Sequence, residues 1–205
     1  MPAAASSPRA RVAVLLSGTG SLCAALLAAT DDAAYPAEVV VVGSDRPADG
    51  LEHARDRGVP TFTCALADHP DRASWDRTLA DRLRAFEPDL VVSAGFMKLV
   101  GPPLLSRVPM VNTHPALCPA FPGMHGAADA LAYGVKVTGA TLFVVDDGVD
   151  TGPIVAQVTV PVADDDTAES LHDRIKVAER EMLVASIGRM AREGWSVDGR
   201  RVRLG

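Results

Sequence analysis

Four short apolar runs, separated by helix-like segments, decide most of what this chain can fold into. Arg11–Leu16, Ala37–Gly43, Thr61–Cys64 and Asp89–Gly95 are short and mostly apolar, with valine dominating two of them. Runs of that length and composition read as strands buried on both faces. Leu22–Ala29 is a leucine and alanine helix former. Leu51–Arg57 reads as a short helix stopped by Gly58. In Asp71–Phe86, Trp75, Leu79, Leu83 and Phe86 fall at helical spacing and Pro88 ends the pattern. Strands alternating with helices build a mostly parallel, twisted sheet with right-handed crossovers. The expected fold class is therefore α/β, a single domain with a Rossmann-like N-terminal half. In such sheets ligands sit beyond the carboxyl ends of the strands.

Three segments fall at such ends. Ser17-Gly-Thr-Gly-Ser21 follows the first strand and opens a helix, which offers free backbone N–H groups to a phosphate. It lacks the lysine of a P-loop and the third glycine of a dinucleotide fingerprint, so a monophosphate fits better than a pyrophosphate. The same residues could also be a tight turn with no ligand. Gly95–Val100 follows the fourth strand. The apolar run Pro109-Met110-Val111 leads into Asn112, Thr113 and His114, and a proline-rich loop to Gly123 ends it. Asn112 and His114 are two apart and share one side of a strand. An amide and an imidazole aimed at one spot can stabilise an oxyanion and move a proton; a polar strand end is the plainer alternative.

The remainder reads as a helix over Met124–Tyr133, then two long strands, Lys136–Asp146 and Ile154–Pro161, the expected antiparallel pair. Asp147-Gly-Val-Asp-Thr-Gly-Pro153 joins them and carries Asp150. Asp146 and Asp147 read as solvated turn acids. Thr167 is expected to cap a last helix running to Met190, on which Lys176 and Glu179 share a face. The expected organisation is a disordered lead over 1–10, one domain over 11–194 and a C-terminal tail over 195–205 with an Asp-Gly hairpin turn. Within the domain, 11–107 is the phosphate-binding half and 108–194 the catalytic half.

The chain carries 26 acidic and 20 basic residues, formal charge −6, which argues against nucleic-acid or membrane-surface binding. No apolar run is long enough for a membrane span, and the N-terminus lacks a signal peptide's apolar centre. Three cysteines at no metal-like spacing point to free thiols, a cytoplasmic setting and no metal. Cys118 is a weak candidate nucleophile, since nothing in the sequence pins a base beside it.

Asn112-Thr-His-Pro-Ala-Leu-Cys-Pro and Asp147-Gly-Val-Asp-Thr-Gly-Pro-Ile154 together resemble the signatures of the folate-dependent formyltransferases. Phe121-Pro-Gly-Met-His125 and Ser17-Gly-Thr-Gly-Ser21 resemble the branch acting on phosphoribosylglycinamide. The extra C-terminal domain of the methionyl-tRNA branch and the N-terminal regulatory domain of the hydrolase branch have no counterpart in this sequence. The resemblance runs from about Arg11 to Ala191. It implies 10-formyltetrahydrofolate as cosubstrate, small-molecule partners and a monomer or homodimer. It also implies that Asn112, His114 and Asp150 are catalytic. Gly20, Ser21, Leu22, Lys176 and Glu179 would bind phosphoribosylglycinamide. Arg72, Met97, Lys98, Leu99, Val100 and Asn112 would bind the folate. Leu22, Lys98, Ala116, Cys118 and Phe143 depart from the residues common in the family. Alternatives are another amine acceptor, water as acceptor, or folate binding without catalysis. An imidazole without a partner carries little charge at neutral pH, and a carboxylate beside it favours the cation; that is the physical case for Asp150.

Overall fold

A computed structural model describes residues 9–205. The expected lead falls almost wholly outside them, but its last residue opens the first strand. The strands are β1 (Ala10–Leu16), β2 (Ala37–Ser44), β3 (Thr61–Thr63), β4 (Leu90–Ser93), β5 (Met110–His114), β6 (Val137–Val144), β7 (Ile154–Pro161), β8 (Trp195–Asp198) and β9 (Arg201–Leu204). The helices are α1 (Ser21–Thr30), α2 (Glu52–Arg55), α3 (Arg72–Arg84), α4 (Pro102–Leu105), α5 (Gly126–Tyr133) and α6 (Ala168–Glu193). One sheet holds all the strands in the order β3-β2-β1-β4-β5-β6-β7-β9-β8. β1 to β5 pair in parallel, and β5-β6 and β6-β7 are antiparallel. The hairpin β8-β9 extends the sheet beside β7 instead of hanging free, through the pair Ile154 and Arg201.

The order reverses between β1 and β4. From β1 the chain winds outward to β3, then returns to lay β4 and β5 on the other side, which opens a crevice at the strand ends. Residues of alternate parity pack on opposite faces. Val12, Val14, Val92 and Val111 meet α1 and α6 through Leu26, Leu171, Ile175 and Leu183. Ala13, Leu15, Val91 and Met110 meet α3 through Trp75, Leu79 and Leu83.

Helix α3 starts where Asp71 accepts from the Ser74 backbone N–H. α6 starts at a capping box of Thr167 and Ser170 and runs to Glu193, one turn past the expected end. α5 begins at Gly126, two residues later than expected. The Leu51–Arg57 segment is a single 3₁₀ turn followed by the four-residue α2.

Candidate active site

Beyond the end of β5 lies a cavity of about 430 Å³. Its apolar wall includes Phe96, Leu99, Val100, Met110, Phe143 and Val145, and its polar end carries Asn112, His114 and Asp150. Asn112 pairs across the strands with Phe143, which holds it against that apolar wall. No hydrogen bond fixes the Asn112 side-chain amide among the described residues, so it is free to donate to a ligand.

His114 is buried, and each ring nitrogen faces an acceptor. Nε2 is 2.7 Å from the Phe121 carbonyl oxygen and Nδ1 is 3.5 Å from Asp150 Oδ2. The Phe121 carbonyl can only accept, so Nε2 carries the proton it donates there, and Nδ1 faces the carboxylate. Asp150 Oδ2 also accepts from the Gly123 backbone N–H at 2.8 Å. Asp150 adopts φ +54, a left-handed conformation that aspartate tolerates better than most residues. The joining loop therefore turns back and aims its carboxylate at the ring rather than at solvent.

The loop after His114 is tied down from β6 and β7. Thr141 Oγ1 donates to the Ala116 carbonyl at 2.7 Å and accepts from the Cys118 N–H at 2.9 Å, while Gln157 donates to the Cys118 carbonyl at 2.9 Å. Burial pushes the Cys118 thiol upward, the wrong direction for a nucleophile.

A second cavity of about 230 Å³ adjoins the first and shares Met97 with it. Ser17, Gly18, Thr19, Gly20, Ser21 and Leu22 form one wall, with Arg46 opposite. Gly20 has φ +72, and a Cβ there would come within 2.8 Å of the Gly50 Cα, so two backbones meet where only glycine fits. The Gly50 N–H donates to the Gly18 carbonyl at 3.0 Å and steadies the loop. The loops of the two cavities are joined at the crevice. Ser17 N–H donates to the Gly95 carbonyl at 3.1 Å, and Met97 N–H donates to Ser17 Oγ at 2.8 Å.

Met97, Lys98, Leu99 and Val100 line the large cavity. The Lys98 ammonium lies 3.8 Å from the buried Asp45 carboxylate, which Arg46 also grips at 2.7 Å. Arg72 lines neither cavity. It crosses the Trp75 ring at 4.8 Å, pairs with Asp76 at 3.3 Å and donates to the Leu99 carbonyl. Trp75 stacks on Phe96, and Asp76 accepts from the Gly101 N–H at 3.0 Å. One face of α3 thus holds the loop 96–101, and Arg72 acts on that loop's backbone.

Lys176 and Glu179 line neither cavity. Lys176 pairs with Asp173 at 3.1 Å, and Glu179 is buried beside Thr113 and His114. Asp146 and Asp147 both line the large cavity, and Asp146 also accepts from Gly148 N–H and Thr151 Oγ1. Sequence reasoning missed Arg46, Thr141, Gln157 and His172. His172 lines the large cavity from α6, and burial holds its proton affinity down. Only the spacing of His172 from Lys176, one helical turn, could have flagged it. Among the described residues no three His, Cys, Asp or Glu side chains gather as a metal-binding group, and no helix is long and apolar enough to cross a membrane.

The family model described as formyl transferase matches residues 10–187. This chain belongs to the formyl transferase family. Within that family it is 57% identical, over 202 residues, to a phosphoribosylglycinamide formyltransferase of Mycobacterium tuberculosis, covering 97% of this chain and 93% of that one. It is 34% identical to the Bacillus subtilis protein of the same name, over 83% of this chain and 89% of the relative. Among solved structures, glycinamide ribonucleotide transformylase 1 from Symbiobacterium toebii superposes with a TM-score of 0.92 at 43% identity, covering 96% of this chain and 94% of that one. The fold is thus that of the formyltransferases, as the motifs implied.

Proposed function

We propose that this formyltransferase moves the formyl group of 10-formyltetrahydrofolate to the glycyl amine of 5′-phosphoribosylglycinamide, a step of purine synthesis. The products are the N-formylglycinamide ribonucleotide and tetrahydrofolate. The observation that carries the reading is the junction of the two cavities. An amide, an imidazole and a carboxylate stand at the end of an apolar slot, and a glycine-rich helix N-terminus suited to a monophosphate opens beside it through Met97. The relatives' names agree with it.

The apolar wall and the loop 96–101 suit a flat heteroaromatic ring, with backbone groups of that loop to hydrogen-bond its edge. At the polar end, attack of the amine nitrogen on the formyl carbon places negative charge on the formyl oxygen. Asn112 donates to that oxygen, and removing such a donor costs roughly 10²–10³ in rate. His114, with Asp150 beside its ring, supplies the second donor and a proton. The Phe121 carbonyl holds the Nε2 proton in this state, so delivery requires that loop to release it. As the carbon–N10 bond breaks, the proton leaving the amine is balanced by one arriving at N10. Gly20, Ser21 and Leu22 hold the phosphate of the amine substrate through backbone N–H groups in this reading, while Lys176 and Glu179, which line neither cavity, are assigned to that substrate by the resemblance alone. The setting is cytoplasmic, and a monomer or homodimer satisfies it equally.

Mixing the protein with both substrates and following folate absorbance tests the reading. Turnover that requires the amine supports it. Turnover without the amine means hydrolysis, and binding without turnover means a folate-binding protein.

A further inference from the structure

Asp150 sits in a loop that has to be held from outside. Its φ of +54 is a conformation that a residue other than glycine keeps only where the surroundings impose it. On one side the chain is clamped to β6. Val144 N–H donates to the Pro153 carbonyl at 2.9 Å, and Gly152 lies so close to the Val144 carbonyl that no Cβ fits there. On the other side the Asp146 carboxylate gathers Gly148 N–H at 3.1 Å and Thr151 Oγ1 at 2.7 Å. These bonds shape the loop from within.

One further bond reaches it from the far end of the chain. The Thr151 carbonyl, on the residue after Asp150, accepts from Arg200 Nη2 at 2.8 Å, across 49 residues of sequence. Arg200 stands in the turn between β8 and β9, directly after Gly199 with its φ of +59. The hairpin that carries it is itself anchored. Trp195 and Leu204 pack on the core, Arg201 pairs with Ile154, and Gly205 N–H donates to the Gly194 carbonyl at 3.2 Å. Nearby Arg189 and Arg203 are taken up by Glu193 and Asp198. Arg200 makes no ion pair among the described residues, so its guanidinium is given to the loop. The family match ends at residue 187, and the hairpin lies beyond it.

We propose that Arg200 is a positioning residue, through which the C-terminal hairpin braces the loop 146–152. The brace keeps Asp150 Oδ2 where it stands, 2.8 Å from Gly123 N–H and 3.5 Å from His114 Nδ1, at the polar end of the large cavity. The effect on catalysis rests on the function proposed above; the bracing of the loop does not.

The test uses the full chain with Arg200→Ala, Arg200→Lys, Asp150→Asn and the double variant R200A/D150N. Arg200→Ala removes one hydrogen bond from a charged donor, so kcat falls roughly three- to tenfold. KM for the amine and the melting temperature hold, because Arg200 lines neither cavity and lies at the surface. Arg200→Lys restores most of the rate, since an ammonium can donate to the same carbonyl. Arg200→Ala adds little to the loss already caused by Asp150→Asn, because no carboxylate is left to hold. Unchanged kcat in Arg200→Ala, or an equal fall in the Asp150→Asn background, overturns the proposal. Hydrogen exchange without substrates, read by NMR, separates this inference from the functional reading. In Arg200→Ala the Gly123 N–H, which Asp150 accepts, exchanges roughly three- to tenfold faster, while the Cys118 N–H held by Thr141 keeps its rate. An unchanged Gly123 rate refutes the brace whatever the reaction. Faster exchange in a protein whose wild type does not turn over these substrates supports the brace and overturns the functional reading instead.

Discussion

Asp150→Asn removes one charge and little else. The asparagine oxygen can still accept from Gly123 N–H, and asparagine tolerates the φ of +54 at this position. What is lost is the attraction of the carboxylate for positive charge carried by the ring 3.5 Å away. Two unit charges at that distance attract by roughly 5 kcal/mol at an effective dielectric constant of about 20. The retained amide dipole and the desolvation already spent on the carboxylate return part of it. A net loss of about 3 kcal/mol corresponds to roughly a 10²-fold fall in kcat, at 1.36 kcal/mol per factor of ten. The assay is steady-state formylation of phosphoribosylglycinamide, with circular dichroism melting as the control for folding. Under the proposed function the fall belongs in kcat rather than KM, because the ring would act on charge that develops in the transition state. Because asparagine keeps the Gly123 hydrogen bond and the backbone conformation, melting shifts little. A variant within about threefold of wild-type kcat would refute the reasoning.

Other expectations are smaller. Ser17→Ala frees the loop 96–101 from the phosphate loop by removing one acceptor for Met97 N–H. KM for the folate should rise roughly two- to fivefold with stability nearly unchanged, read from steady-state kinetics. Hydrogen bonds from Arg174 hold the Asp166 carboxyl well below the usual carboxylate range, with Ala163 N–H and Ser170 Oγ adding to the effect. A depressed folded value means stability fully present above the unfolded carboxylate's range and lost as pH falls from there through the lower folded value. Asp166→Asn should therefore melt earlier at pH 7, and the gap to wild type should close on acidification, measured by thermal unfolding across pH. Cys23, Cys64 and Cys118 are buried, and burial pushes Cys23 up to about 12. A thiol-specific reagent should label none of them at neutral pH until denaturant is added.

The parts of the fold that repeat locally were legible in the sequence. The apolar runs became β1, β2 and β4, the capping threonine starts α6, and Asp-Gly makes the last hairpin. The strand end carrying Asn112 and His114 was legible too, because a period of two puts both on one side. What joins distant segments was not. Nothing in Ser17 announces that its hydroxyl will hold Met97, nor in Arg72 that it will brace the Leu99 carbonyl rather than meet a ligand. Glu179 shared a helix face with Lys176 in the sequence. The packing of α6 sorted them differently, sending one carboxylate into the apolar stripe and leaving the lysine at the surface with Asp173. The partners that fix Thr141 and Gln157 lie 23 to 39 residues away, on a loop whose path the strands set. Charge and polarity are written in the chain; which of them face one another is decided by the sheet order.

The account stands on an amide, a histidine and an acid acting together at a one-carbon unit bound for an amine. Donor labelled with carbon-13 in its formyl group, mixed with the protein and phosphoribosylglycinamide, tests that most directly by NMR. The label should pass to the glycinamide nitrogen in amounts equal to the tetrahydrofolate released. Label recovered as free formate, or left on the folate, would contradict it.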